Sequence, residues 1–300
     1  MVSAIITTHN RVDVLPRAIR SVLNQTYKDI ELIVVSDGST DGTDEYMKSY
    51  EHDTRVKYIS YHPGHGGNYA RNQGIKNANG DYVAFLDDDD EWLPQKIEKQ
   101  VAKLDENPSA GLVYTAVRSI YVNEGVEYNF YPHCDGDMSK RILFDNSIGT
   151  TSCVMVRSSL LNEEMFDENL RALQDYDLWI RICQKADVCY CSEVLLNYYN
   201  QLSQKQITSN SDVYLTSKQY ILEKYADLYK QFNHSELLSV EVEGILGFAQ
   251  RCIRNGQNRL AREYVIRSLK KKITKKGIFF YIMTYFSMHT ILRLKSIMNG

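Results

Sequence analysis

The stretch Gly80-Asp-Tyr-Val-Ala-Phe-Leu-Asp-Asp-Asp-Asp-Glu-Trp92 runs an apolar segment directly into four consecutive carboxylates. Residues 82–86 form an uninterrupted apolar run behind a Gly-Asp turn signal, which predicts a strand buried on both faces of a mostly parallel sheet. The four aspartates then lie at the carboxyl end of this strand, the edge at which open α/β sheets bind ligands. Two interpretations remain open from the stretch alone: a divalent-metal site for a phosphorylated substrate, or a solvated acidic turn.

The rest of the first ninety residues alternates apolar strands with helical patterns. Predicted strands cover residues 2–7, 30–35, 56–60 and 82–86, and the predicted helices between them cover residues 13–25, a short segment ending at residue 50, and residues 68–78. This alternation predicts an α/β fold, with a doubly wound, mostly parallel sheet flanked by helices.

The pattern changes beyond Pro94. Predicted elements are a hairpin (111–122 and 126–131) turning at Asn123-Glu-Gly125, a strand at 151–156, a helix starting near Asp175, and a strand at 188–199. From Ser211 onward only helical periodicity remains, so we predict a catalytic domain at 1–210 and an α-helical C-terminal region at 211–300.

The charge distribution is asymmetric although the formal net charge is only -3. From Arg251 to Gly300 there are twelve Lys or Arg residues and one acidic residue, whereas the first 250 residues carry 23 basic and 37 acidic residues. An acidic body with a basic tail indicates that the tail meets an anionic surface, either a membrane or a nucleic acid. No recognised DNA or RNA module accompanies it, so nucleic-acid binding is not expected.

Six cysteines in 300 residues lack the density of a disulfide scaffold, which predicts reduced thiols in the cytoplasm. Cys189-Tyr-Cys191 fits two small apolar residues on one face of a strand better than a metal site. The N-terminus begins directly as a strand, without the basic region of a signal peptide, so export is not expected.

Three polar loops should converge at the carboxyl edge of the sheet: 7–11 after the first strand, 36–42 after the second, and the acidic cluster after the fourth. Arg71, on the helix before the fourth strand, can add a fixed cation for a phosphate. Each loop alone is weak evidence, because a lone Asp-Gly-Ser is usually just a turn.

Together and in this order, the motifs resemble glycosyltransferase family 2 with the GT-A fold. The motifs that carry the resemblance are Ser3-Ala-Ile-Ile-Thr-Thr-His-Asn-Arg11, Ile33-Val-Val-Ser-Asp-Gly-Ser-Thr-Asp-Gly-Thr43, Ala70-Arg-Asn-Gln-Gly-Ile75, Phe85-Leu-Asp-Asp-Asp-Asp90 and Asp175-Tyr-Asp-Leu-Trp-Ile-Arg181. They cover residues 2 to about 201 and leave the helical tail unassigned.

The resemblance implies a role for each matching residue. The implied nucleotide-binding residues are Thr7, His9, Arg11, Asp37, Arg71, Asp87 and Asp88, with Asp37 holding a uracil base. Asp87 and Asp89 match the family's Asp-x-Asp motif, which implies a Mn²⁺ or Mg²⁺ ion between the donor phosphates, with Asp89 as its direct ligand. Asp175 falls where the family has its catalytic base.

The chemistry agrees with these roles. Departure of the leaving group puts negative charge on the diphosphate, which a metal ion and arginines neutralise. A carboxylate on the opposite face can take the proton of the attacking hydroxyl, and one base with direct displacement inverts the configuration without a covalent intermediate.

Two departures from the family pattern affect these roles. Gln174 replaces the acidic residue that usually precedes the base, which makes Asp177 the nearest rival to Asp175. Residues 197–203 lack the histidine that many members carry after the last core strand, so we expect weaker metal binding, with water or Gln201 as a substitute. Asp90 and Glu91 are predicted to cap the helix that starts near Pro94.

The basic segment Lys270–Lys276 precedes sixteen residues, Gly277–Leu292, without an acidic, Lys or Arg side chain. Sixteen residues are short of the roughly twenty that span a bilayer, but suit an interfacial helix beside anionic lipid. The alternative is an ordinary helix packed on the catalytic domain. Membrane association predicts a location at the cytoplasmic face of the cell membrane.

The sequence therefore predicts a metal-dependent inverting transferase. It would move a sugar from a UDP-sugar donor to a hydroxyl of a glycan or lipid-linked acceptor in surface polysaccharide synthesis. One rival is a sugar nucleotidyltransferase, which should have a Gly-rich loop after the first strand, whereas residues 7–11 contain no glycine. The other is a nucleotide-sugar-binding module that has lost catalysis.

Overall fold

The computed structural model describes residues 1–200 and 211–299. Its strands are β1 (Val2–Thr8), β2 (Ile30–Asp37), β3 (Val56–Tyr61), β4 (Tyr82–Asp87), β5 (Glu91–Trp92), β6 (Ala110–Tyr121), β7 (Val126–Phe130), β8 (Val154–Arg157) and β9 (Asp187–Asn200). Its helices are α1 (Leu15–Leu23), α2 (Thr43–Met47), α3 (Gly67–Lys76), α4 (Lys96–Glu106), α5 (Ser158–Leu161), α6 (Gln174–Cys183), α7 (Ser211–Lys224), α8 (Ala226–Tyr229), α9 (His234–Arg254), α10 (Asn258–Lys271), α11 (Lys275–Met283) and α12 (Met288–Asn299).

The strands form one sheet in the order β3-β2-β1-β4-β8-β6-β9-β5, and β7 pairs with β6. The first four strands are mutually parallel, with Ile5 of β1 opposite Ile33 of β2 and Phe85 of β4. β8 runs antiparallel between β4 and β6, and β6 pairs in parallel with β9. This arrangement confirms the predicted α/β fold with a mostly parallel sheet flanked by helices.

Helices α1 and α3 pack close to β1 and account for the continuous apolar character of the strands. The apolar stripe of α1 is fully buried and consists of Leu15, Ala18, Ile19 and Val22. On α3, a Cβ at Gly74 would lie 2.5 Å from Ile5 Cγ2, so glycine is what lets this helix approach the sheet. The buried faces of helix and sheet therefore fix the carboxyl edge of the strands in place.

Helices of the C-terminal region pack on the same core as the sheet. Ile221 of α7, Tyr225 between α7 and α8, and Tyr229 of α8 belong to the cluster that contains the strand residues. Leu246, Phe248 and Val265 belong to a second cluster. The predicted domain boundary near Asn210 and the predicted role of Gln201 lie outside the described residues and stay predictions.

Two predicted elements differ from the structure. The strand predicted at 151–156 begins as a 3₁₀ turn, Thr151–Cys153, and only Val154–Arg157 is extended. The tail predicted as one helix over 277–292 is divided between α11 and α12. Arg262 donates to the Thr284 carbonyl at 3.0 Å and to its hydroxyl at 3.1 Å, which satisfies polar groups at the end of α11 and permits the break.

Among the described residues, no helix combines the length and apolar character needed to cross a bilayer. The six cysteines are free thiols, and Cys189 and Cys191 are buried on β9 as predicted for apolar strand residues.

Candidate active site

The carboxyl ends of β1, β2 and β4 border a cleft of about 1000 Å³. Its lining includes every residue predicted for the site, namely Thr7, His9, Arg11, Asp37, Arg71, Asp87, Asp88, Asp89 and Asp175. The structure thus brings together side chains from both ends of the catalytic sequence. Their individual roles stay predictions.

Two arginines neutralise the acidic cluster at the end of β4. Arg11 Nη1 lies 2.9 Å from Asp88 Oδ1 and 2.7 Å from Asp89 Oδ2, and Arg71 Nη2 lies 2.7 Å from Asp87 Oδ1. The loop after β1 and the start of α3 are therefore tied to the same acidic turn. Such charge-assisted bonds fix the carboxylates in position before any ligand arrives.

The acidic cluster remains short of positive charge despite these pairs. Burial raises the pKa of Asp88 to about 6, and the charge of Arg11 only partly opposes this rise. Burial and the negative charge of Asp87 raise the pKa of Asp89, again against the effect of Arg11. An additional cation at this turn would stabilise the ionised carboxylates.

The predicted capping role of Asp90 and Glu91 is wrong. Asp90 is fully buried and accepts a hydrogen bond from the Tyr199 backbone N–H at 3.2 Å, while Glu91 lies in β5 and accepts from Asn197 Nδ2 at 2.9 Å. Helix α4 begins only at Lys96 and has no side-chain cap. The two acidic residues instead join the acidic turn to β9, more than one hundred residues away.

Asp37 organises the loop between β3 and α3. Its carboxylate accepts hydrogen bonds from the backbone N–H groups of His65 and Gly66, each at 2.7 Å. Gly38 has φ of +70°, and a Cβ there would lie 2.5 Å from Gly64 N, so only glycine allows the two loops to approach so closely. The loop at 63–67 is thereby held against the nucleotide side of the predicted pocket.

Asp175 lies in the first turn of α6 with its carboxylate toward the cleft. One oxygen accepts from Asn146 Nδ2 at 3.1 Å and the other from the Tyr176 backbone N–H at 2.8 Å. Burial raises the pKa of Asp175, and the charge of Asp87 adds to this rise. A carboxylate with a raised pKa is a stronger proton acceptor, as a general base requires.

Asp177, the rival candidate, has a different environment. It is fully buried and does not line the cleft. Its carboxylate pairs with Arg181 Nη2 and Lys224 Nζ, both at 2.9 Å, and accepts from Tyr225 OH at 2.7 Å. This network joins α6 to α7, so the position of Asp177 suits a role in stabilising the fold.

Two residues of the helical region line the cleft although the motifs did not include them. Arg251 and Arg254 lie in the last turn of α9, and Arg251 is positioned over the Tyr214 ring, with its Cζ 4.5 Å from the ring centroid. Asn146, which holds Asp175, was also missed. The sequence signal for the two arginines is the basic tail, which predicts contact with an anionic surface and not a position in the cleft.

Comparison with known proteins agrees with this geometry. The profile of glycosyl transferase family 2 matches residues 3–165, which is more than half of the chain. The putative teichuronic acid biosynthesis glycosyltransferase TuaG of Bacillus subtilis (strain 168) is 31% identical over 212 residues, covering 70% of this chain and 82% of TuaG. An uncharacterised glycosyltransferase of Methanocaldococcus jannaschii is 30% identical over 220 residues, covering 72% of this chain and 73% of that protein.

An uncharacterised glycosyltransferase of Rickettsia conorii is 32% identical over 222 residues, but the matched region spans only 35% of its length. Among solved structures, S. aureus TarS (residues 1–349) in complex with UDP-GlcNAc has a TM-score of 0.60 at 18% identity, covering 93% of this chain and 89% of TarS. The mannosyltransferase PcManGT from Pyrobaculum calidifontis, in complex with GDP-Man and Mn²⁺, has a TM-score of 0.59 at 14% identity, covering 99% of this chain and 86% of PcManGT. These structural likenesses concern the fold, and the sequence matches establish that the chain belongs to glycosyltransferase family 2.

Proposed function

We propose that this protein is an inverting glycosyltransferase that moves a sugar from a UDP-sugar to a hydroxyl of a glycan or lipid-linked acceptor. The observation that carries the proposal is the cleft in which Asp37, the acidic cluster and Asp175 meet. Donor-side and acceptor-side groups of the predicted reaction thus border one space large enough for both substrates.

The donor nucleotide would occupy the side of the cleft formed by the loops after β1 and β2. On this side Asp37 accepts two backbone hydrogen bonds, and Thr7, His9 and Arg11 also line the cleft. Arg71 and Arg11 would balance the charge of the diphosphate. The fold neighbours TarS and PcManGT have been solved with UDP-GlcNAc and GDP-Man, respectively, which supports a nucleoside-diphosphate sugar as donor, and the choice of uridine rests on the family resemblance of the Asp37 motif.

The carboxylates of Asp87 and Asp89 have the hard oxygen donors that Mn²⁺ and Mg²⁺ prefer, and the raised pKa of Asp89 favours an added cation. Among the described residues, no group of three or more His, Cys, Asp or Glu side chains could hold a metal ion. Fewer protein ligands suit an ion that is also held by substrate phosphates, so the residues fit. When bound, the ion would supply positive charge to the leaving diphosphate.

Asp175 would act as the general base. Its two hydrogen bonds, from Asn146 and from the Tyr176 backbone, fix the carboxylate in the cleft, and burial raises its pKa. It would take the proton of the acceptor hydroxyl as that oxygen attacks the anomeric carbon from the face opposite the diphosphate. Direct displacement inverts the configuration of the sugar.

We propose surface polysaccharide synthesis as the process because the relative TuaG is named as a putative glycosyltransferase of teichuronic acid biosynthesis. The proposal is tested by screening nucleotide sugars for thermal stabilisation of the protein in the presence of Mn²⁺, since a bound donor raises apparent stability by mass action. UDP-sugars should stabilise the protein, and their slow hydrolysis by the enzyme should release UDP. Release of pyrophosphate from a nucleoside triphosphate and a sugar 1-phosphate would instead indicate a nucleotidyltransferase, and stabilisation without turnover would favour a binding module.

We also propose that the region around α11 touches the inner face of the cell membrane. It exposes large apolar side chains, namely Ile273, Ile278, Phe279, Ile282, Tyr285 and Phe286, beside a run of lysines. Two of these lysines, Lys271 and Lys276, pair with Glu241 and Glu243, so the apolar patch carries most of the proposed contact.

Sedimentation with anionic vesicles tests the membrane contact. The triple variant Ile278→Ser, Phe279→Ser, Ile282→Ser changes only exposed side chains and should lose most vesicle binding. Leu215→Ser, at a comparably exposed residue of α7, is the control and should bind as the wild type does. Unchanged sedimentation of the triple variant would remove the membrane contact.

A further inference from the structure

A second cavity of about 570 Å³ lies between the catalytic region and helices α7, α9 and α12. It shares part of its lining with the cleft, including Asn146, Tyr198, Asn200, Arg251 and Arg254. Asn146 donates to Asp175, so the cavity adjoins the cleft on the side of the proposed base. The two spaces are therefore neighbours on the side of Asp175.

The lining of this second cavity is positively charged. Among the described residues, its lining has four cationic side chains, Lys218, Arg251, Arg254 and Lys276, and two carboxylates, Asp145 and Glu243. Both carboxylates already have a cationic partner. Glu243 pairs with Lys276 at 2.6 Å, and Asp145 pairs with Arg141 at 2.9 Å.

Lys218 is a half-buried cation that forms no ion pair with the described residues, although the charge of Asp145 favours its charged form. Its Nζ lies 4.8 Å from the centroid of the Tyr176 ring, and burial lowers its pKa to about 8. Burying an ammonium group is costly unless another charge or a polar ligand compensates for the lost water. A ligand anion in the cavity would supply that compensation.

Arg251 and Arg254 extend the positive charge from Lys218 to the cleft. Burial lowers the pKa of Arg251, and the like charge of Arg254 lowers it further, whereas the negative charge of Asp175 favours its charged form. Arg254 is exposed, one helical turn further along α9. Guanidinium groups at this spacing can hold a phosphate or carboxylate through paired hydrogen bonds.

Lys218 lines the second cavity and is not among the residues that line the cleft, so it does not reach the donor diphosphate as that substrate is proposed to bind. The side chains expected to contact the diphosphate or its metal ion are Arg11, Arg71, Asp87 and Asp89, and none of them lines the second cavity. The nearest reactive group is Asp175, on the acceptor side of the reaction.

We infer that the second cavity binds an anionic group of the acceptor, a phosphate or a carboxylate, and so directs a neighbouring hydroxyl to Asp175. This inference rests on the proposed function and adds the chemical class of its acceptor. The acceptor would be a charged polyol or sugar chain, and a neutral glycan would lack the contacts with Lys218, Arg251 and Arg254.

Calorimetric titration with small probes tests the inference. The charged probes are sn-glycerol 3-phosphate and glucuronate, and the neutral probes are glycerol and glucose. Wild-type protein should bind at least one charged probe about tenfold or more tightly than its neutral counterpart, since hydrogen bonds between charged groups are the stronger ones. The charged probe with the larger preference identifies whether the anion is a phosphate or a carboxylate.

The variants Arg254→Gln and Lys218→Met, singly and together, should reduce this preference, and the double variant should abolish it. Arg259→Gln is the matched control because its side chain is 95% exposed on α10, away from the cavity. Binding of UDP with Mn²⁺ is measured in the same proteins and should change by less than about twofold, a difference well under one hydrogen bond.

Three results would overturn the inference: equal binding of charged and neutral probes by the wild type, a preference that survives in the double variant, or a loss of UDP binding in the double variant. The last result would assign these cations to the donor. Failure of the proposed function looks different, because the wild type would then bind no nucleotide sugar even if the anion preference were present.

Discussion

Cationic side chains lie both on the donor side of the cleft and in the second cavity beside it, but their charges are compensated in different ways. On the donor rim, formed by Arg11, Arg71 and Asp87 to Asp89, arginines and carboxylates pair directly at 2.7 to 2.9 Å. On the helical wall, formed by Lys218, Arg251 and Arg254, cations exceed the carboxylates of the cavity, and two of them lie over aromatic rings.

This difference follows the match to the family. The donor rim lies wholly within residues 3–165, the region matched by the family profile, whereas the helical wall lies outside it. The residues predicted to bind the donor thus lie at strand ends and in the loop and helix next to them, within the region that the family profile matches. We assign the choice of acceptor to the helices that follow this region in the sequence.

The largest effect on the donor rim is expected for Asp89→Asn. This change removes one carboxylate oxygen from the proposed metal site, so donor turnover should fall about 10² to 10³-fold, as for the loss of one group that stabilises developing charge. The measurement is kcat/KM for the donor as a function of Mn²⁺ concentration. An unchanged Mn²⁺ dependence would contradict a metal role for Asp89.

A smaller effect, on stability, is expected for Asp177→Asn, because Asp177 ties the helical wall to the catalytic region through Lys224 and Tyr225. The free energy of unfolding should fall by roughly 3 kcal/mol, since Arg181 and Lys224 each lose one of their two carboxylate partners. Urea unfolding measures it. Asp227→Asn, at a side chain that is 89% exposed, should change the free energy by less than about 0.5 kcal/mol.

If Asp177→Asn were as stable as the wild type, the buried network would not hold α7 to the catalytic region. The position of Lys218 on the helical wall would then need another explanation.

The smallest effect is expected for Lys218→Met, which should stabilise the protein at pH 7 by about 1 to 3 kcal/mol. The pKa of Lys218 is lowered from 10.5 to about 8, so folding buries a charge at a cost that is fully present below pH 8. The cost disappears as pH rises from 8 to 10.5, and the difference between variant and wild type should shrink over that range. Thermal or urea unfolding as a function of pH measures it.

A Lys218→Met variant less stable than the wild type at pH 7 would contradict this interpretation. It would mean that the ammonium group already has its compensation within the protein and does not await an anion.

Much of the fold was predictable because its signals are local. The apolar runs of β1, β2 and β4, the stripe of α1 and the turn at Gly125 each lie within a few consecutive residues. The convergence of the site at the carboxyl edge of the sheet then follows from the parallel order of the strands.

The errors concern contacts between residues that are distant in sequence. Asp90 resembles a helix cap until the Tyr199 backbone is seen to donate to it. Arg251 and Arg254 belong to a basic tail, and only the packing of α9 brings them to the cleft. At the break between α11 and α12, Thr284 accepts hydrogen bonds from Arg262, more than twenty residues earlier. No local pattern encodes such pairings.

The most direct test of the proposed reaction compares donor turnover with Mn²⁺ in the wild type, Asp175→Asn and the exposed control Asp227→Asn, with UDP binding measured in parallel. Loss of the general base should lower turnover about 10² to 10⁴-fold in Asp175→Asn while UDP binding and the control stay at wild-type levels. Equal turnover in wild type and Asp175→Asn would contradict the assignment of the base. No turnover in either protein would contradict catalysis itself and favour a nucleotide-sugar-binding module.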